Sequence, residues 1–181
     1  PEVEEQYEVI GEPTSEAGAE QLATEDRYQF ESWALGLVGA RQTEKKKGAD
    51  RGIDGRLYFS DADVDSPTRQ IIISVKSGNV GVSFIHQLRG VVEREDAALG
   101  VFITLQPPTK PMLAEAADAG FYHPPHNPDR KSPKMQILTI EDLLEGKRID
   151  CPYVFTASAT FKRAPKAKAP KPKTGSLDLD S

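Results

Sequence analysis

Seven residues constrain this chain more than any others: Gln70-Ile71-Ile72-Ile73-Ser74-Val75-Lys76, the most β-prone run in the sequence. A short run of β-branched apolar residues between turn signals reads as a strand. It follows Arg56–Phe59, a shorter β-prone piece, across an Asp-rich turn with Pro67. The two predict a β-hairpin. Residues two apart on a strand point to the same side, so Ser74 and Lys76 share one face. Val75 and Ile73 point the other way, into the core. Leu99–Leu105 reads as a second buried strand, and Met135–Thr139 as another.

Helical patterns separate these strands. From Leu22 onward, Phe30, Trp33, Ala34 and Leu37 recur at helical spacing, and Gly39 closes the run. Ser83 is placed to cap a helix whose apolar side carries Ile85, Leu88, Val91 and Val92. Thr109 caps another, with Pro111 in its first turn. Thr139 and Asp142 have capping-box spacing ahead of Leu143 and Leu144. The order of helices and strands predicts an α/β fold with one sheet covered by helices.

The chain of 181 residues suits one domain with tails. Residues 1–20 are acidic and read as a lead-in, residues 21–155 as the domain, and residues 156–181 as a disordered Lys/Pro/Ala tail. The first residue is Pro1, so a fragment of a longer protein is expected. The net charge of −5 excludes a uniformly basic nucleic-acid glove but not a local basic patch. One cysteine, Cys151, allows no internal disulfide and no cysteine-rich zinc site, and is expected in the core. His123 and His126 lack the partners that zinc needs. No signal peptide or membrane-length apolar run occurs, so a cytoplasmic, nucleoid-associated protein with no membrane contact is expected.

The chemistry centres on Gly52-Ile53-Asp54-Gly55 and Ser74-Val75-Lys76. A carboxylate at the start of one hairpin strand faces a hydroxyl and an ammonium on the next. Phosphodiester hydrolysis uses such a group: carboxylates hold a divalent metal that activates water, and a lysine offsets developing charge. Asp54 could also simply cap a turn between two glycines.

These residues resemble the PD-(D/E)XK nuclease core, and within it the Mrr-like restriction endonucleases. The resemblance implies a central mixed sheet of about four strands flanked by helices. It also implies Mg²⁺ or Mn²⁺ as cofactor and double-stranded DNA as substrate. Asp54, Lys76, Glu31 and Ser74 become the catalytic candidates, with Asp54 and Glu31 as metal ligands. The family normally carries Gln or an acid two residues before the lysine, where this chain has Ser74. Gln87, Glu93 and Glu95 are candidates to supply the missing group. Lys45, Lys46, Lys47, Arg51 and Gln87 are candidate DNA contacts; for the lysine-rich stretch a solvated loop is the equal alternative.

A longer set of segments is similar to the C-terminal module of bacterial site-specific DNA methyltransferases, resembling type III modification enzymes. They are Tyr28–Ala34, Lys47–Gly55, Val75–Gly78, Gly100–Leu105 and Gln136–Ile140. The methylation motifs themselves are absent, so the resemblance implies an N-terminal methyltransferase region outside this chain. Three functions follow as expectations: a metal-dependent DNA endonuclease module, an inactive DNA-binding module, or a partner-docking module. A homodimer would supply two active sites for double-strand cleavage.

Overall fold

A computed structural model describes residues 11–43, 52–60 and 67–152. Two helices lead: α1 (Glu16–Glu25) and α2 (Arg27–Leu37). The strands and helices β1 (Arg41–Gln42), β2 (Gly55–Ser60), β3 (Thr68–Lys76), α3 (Val82–Arg94), β4 (Leu99–Thr104) and α4 (Lys110–Asp118) follow. The chain then passes through the short strands β5 (Phe121–Tyr122) and β6 (Ser132–Pro133) to β7 (Met135–Thr139) and α5 (Ile140–Leu144).

The main sheet has five strands in the order β1-β2-β3-β4-β7, and β5 pairs only with β6. β1 and β3 each pair antiparallel with β2, whereas β4 and β7 run parallel to β3. This is the predicted mixed sheet between helices, extended at one edge by the two-residue β1.

β3 and β4 are buried on both faces, as strands joined by helical crossovers must be. On one face Ile71, Ile73, Val75, Val101 and Ile103 meet Phe30, Ala34 and Leu35 of α2, with Leu143 of α5. On the other, Ile72 and Phe102 meet Ile85, Leu88 and Val92 of α3 and Met112 of α4. Strand alternation therefore assigns Ser74, two residues after Ile72, to the α3 face.

The helical pattern read as starting at Leu22 is in fact two helices. Asp26, with φ −149° and ψ 98°, ends α1 and caps α2. Its carboxylate accepts the Tyr28 and Gln29 N–H groups at 2.9 and 3.0 Å. The polar run Thr24–Arg27 interrupts the apolar spacing there, and the capping residue is the signal that marks the break. α1 also starts at Glu16, inside the stretch read as a lead-in, with Ser15 as its cap. Ser83 is not the cap of α3: Gly81 holds that position, and Ser83 lies exposed in the first turn. Cys151 is buried, as expected.

The capping box of α5 is present. The Thr139 hydroxyl accepts the Asp142 N–H, and the Asp142 carboxylate accepts the Thr139 N–H, both at 3.0 Å. The bond from the Thr139 N–H, chiefly, holds the Asp142 carboxyl below its usual range, helped by Lys147. A depressed folded-state value gives stabilisation that is present above the ordinary carboxylate pKa. It is lost as pH falls through the lowered value. Asp142→Asn should therefore cost about 1 kcal/mol at neutral pH. In thermal melts its deficit against wild type should vanish in strong acid.

Among the described residues, no helix is long and apolar enough to cross a membrane.

Candidate active site

Asp54 stands just before β2, and its neighbours hold it there. Ile53 is buried against the α3 side of the core. Gly52 has φ +96°, a left-handed conformation that favours glycine, and a Cβ there would meet Val91 of α3 at 3.3 Å. At Gly55 a Cβ would collide with the Leu35 side chain and lie 3.2 Å from the Arg41 carbonyl oxygen. The two glycines thus let α3 and α2 close on either side of one acidic residue. The backbone of Asp54 is pinned on both flanks: its N–H donates to the Ile73 carbonyl at 2.9 Å, and its carbonyl accepts the Thr43 N–H at 3.0 Å.

The β2–β3 register pairs Gly55 with Ile73, so its continuation sets Asp54 opposite Ser74. Oδ2 of Asp54 accepts three donors: the Val75 N–H at 2.8 Å, the Ser74 hydroxyl at 3.2 Å and the Lys76 ammonium at 3.3 Å. Lys76 Nζ also donates to the Val75 carbonyl oxygen at 3.1 Å. Where the β2 ladder stops, the carboxylate takes over a main-chain donor of β3. Charge-assisted bonds of this kind are stronger than neutral ones. Ser74 is 6% exposed, while the Asp54 and Lys76 side chains are 12% and 21% exposed. The cluster is therefore part-buried yet open to solvent.

Thr104 is a buried polar residue that the sequence reading did not single out. It pairs with Lys76 in the β3–β4 register, and its hydroxyl donates to the Gln106 carbonyl at 2.9 Å. A polar residue closing an otherwise apolar strand was the available signal.

Glu31 is 5% exposed on α2, one turn before Leu35, and Arg27 Nε lies 3.6 Å from its carboxylate. It takes no part in the hydrogen bonds that join Asp54, Ser74, Val75 and Lys76. Gln87 is exposed on α3. Glu93 and Glu95 are corrections to the sequence reading. Glu93 pairs with Arg89, and Glu95 with Arg56 and Arg94. The Glu95 carbonyl accepts the Gln70 side chain. Gln70 precedes Lys76 by six residues on β3, a separation of roughly 20 Å along a strand. Glu95 is thus at the far end of the sheet from the cluster. Lys45, Lys46, Lys47 and Arg51 lie outside the described residues, as does the tail from 156. Among the described residues, no three His, Cys, Asp or Glu side chains gather as a metal site, His123 and His126 included.

The family model for restriction endonucleases built on the Mrr catalytic domain matches residues 22–122, more than half of the chain. The chain belongs to this family. The match spans α2 through β5 and so contains the whole Asp54–Ser74–Lys76 cluster. The Mrr-type domain is also similar in fold to a solved structure of the DNA modification-dependent restriction endonuclease AspBHI. That match has a TM-score of 0.50 and 21% identity, and covers 70% of this chain and 32% of AspBHI. The MspJI restriction endonuclease, solved with a 27-mer oligonucleotide, matches at a TM-score of 0.48 and 16% identity. There 71% of this chain and 29% of MspJI are covered. The chain thus spans about a third of the length of these enzymes. No curated protein sequence matches it.

Proposed function

We propose that this Mrr-type domain cleaves duplex DNA with Mg²⁺ or Mn²⁺, using Asp54, Ser74 and Lys76. The observation that carries this reading is the convergence of a hydroxyl, a main-chain N–H and an ammonium on one Asp54 oxygen, at a solvent-accessible strand end. The oxygens there suit a hard divalent ion. Asp54 offers a carboxylate and Val75 a carbonyl, and magnesium needs only one or two protein carboxylates, keeping several waters. Glu31 is the proposed second carboxylate. Once bound, the ion polarises the phosphate and acidifies a water.

The chain's own residues have separate tasks in this reading. Asp54 anchors the ion and orients Lys76. The Ser74 hydroxyl holds the Asp54 carboxylate in one rotamer. Lys76 offsets negative charge on the phosphate as the P–O bond breaks. Lys45, Lys46, Lys47, Arg51 and Gln87 are proposed to contact the DNA backbone. Residues 21–155 would act as the cleaving unit, attached to a methyltransferase region in the parent protein, with a dimer to cut both strands.

A second reading is favoured by one observation, the uncharged Ser74 at the position where the family carries Gln or an acid. It is a module that binds DNA without cutting it. Supercoiled plasmid and linear duplexes, methylated and unmethylated, incubated with either metal distinguish the two. Nicking or linearisation supports the nuclease. Inert DNA on every substrate, with binding that weakens steeply as salt rises, rejects it in favour of the binding module.

A further inference from the structure

Lys76 does more in this structure than sit near a carboxylate. Its ammonium lies 3.3 Å from Asp54 Oδ2 and 3.1 Å from the Val75 carbonyl oxygen, and so bridges two oxygens of different residues. A point in contact with a carboxylate oxygen and a carbonyl oxygen is a cation seat, and here a side chain of the protein fills it. Oδ2 already accepts the Val75 N–H and the Ser74 hydroxyl. The Val75 N–H is fixed by the backbone and the Ser74 hydroxyl can rotate. Only the flexible lysine, 21% exposed, can vacate the seat outright. In a chain where Ser74 adds no negative charge, a divalent ion arriving at Asp54 meets an ammonium already in place.

We infer that Lys76 is a tethered cation that competes with a divalent metal ion for the oxygens of Asp54 and Val75. Metal affinity in the free protein is then set by how readily Lys76 leaves. This rests on Asp54 being the metal-holding residue of the proposed function, and adds to it that Lys76 opposes the metal before DNA arrives. Removing the ammonium removes both its occupancy and the repulsion between like charges a few ångströms apart.

The test is a Mn²⁺ titration by calorimetry on the full chain, comparing wild type with Lys76→Met, Lys76→Arg, Asp54→Asn and the Lys76→Met/Asp54→Asn double variant. The expected result is Mn²⁺ binding about tenfold or more tighter in Lys76→Met. Lys76→Arg, which keeps the charge, should show no such gain, and the double variant should lose it. Should Lys76→Met fail to melt cooperatively, Lys76→Gln serves in its place. Binding in the charge-free variant that is equal to or weaker than wild type overturns the inference. So does tightening that persists in the double variant, because it is not tied to Asp54. The nuclease reading is judged separately: wild type that cuts DNA while Lys76→Met binds no tighter rejects the competition and spares the nuclease. Tighter binding in a protein that never cuts does the reverse.

Discussion

Asp54→Asn is expected to lower DNA cleavage by two to three orders of magnitude, about what is lost when one preorganised electrostatic contact leaves an active site. The substitution keeps shape and removes charge. The amide oxygen can still accept the Val75 N–H, which holds the strand end together. The Lys76 ammonium, bonded in wild type to Asp54 Oδ2 and the Val75 carbonyl, loses its counter-charge. A modest stability cost of about 1 kcal/mol accompanies the change, since hydrogen bonds to a charged acceptor are worth about that much more than bonds to a neutral one. The check is initial nicking rates of supercoiled plasmid at saturating metal, beside denaturation curves for both proteins. A variant that nicks at the wild-type rate would place the chemistry elsewhere.

Phe102→Ala should have the largest effect on stability, about 3–5 kcal/mol, the range for emptying a large aromatic from a well-packed core. Phe102 is fully buried in the middle of β4 and stacks on Phe84 of α3 with ring centroids 6.1 Å apart. It also pairs with Ser74 in the β3–β4 register, so the cavity would open beside the cluster. The loss should appear as a lower denaturation midpoint with an unchanged slope. A cost below about 1 kcal/mol would mean that the α3 face is not packed against β4 as described.

Much of the domain was legible in the residues because the governing interactions are local or periodic. The apolar face of α3 follows from 3.6-residue spacing. The shared face of Ser74 and Lys76 follows from the two-residue repeat of a strand. The α5 capping box closes over three residues, so it could be read directly. The break at Asp26 was equally local: Glu25-Asp26-Arg27 interrupts the apolar spacing between Leu22 and Phe30, and the cap residue stands there unread.

Other features depend on chain segments that meet only after folding. β1 is two residues long and exists because β2 offers it an edge. Glu95 is an acid at a suggestive distance along the chain, yet Arg56 and Gln70 draw it to the far end of the sheet. The Val75 N–H is invisible in any list of side chains. Its bond to Asp54 arises because the β2 ladder ends at Gly55, two residues short of the position opposite Val75.

By itself, then, the sequence determined that an acid, a hydroxyl and an ammonium would share the end of a β-hairpin, since strand periodicity and two flanking glycines require no distant partner. Only the tertiary structure decided that all three converge on one Asp54 oxygen and that Lys76 bridges it to the Val75 carbonyl. The contacts to Asp54 join residues about twenty apart in the chain, and strand register and burial bring them into hydrogen-bonding range.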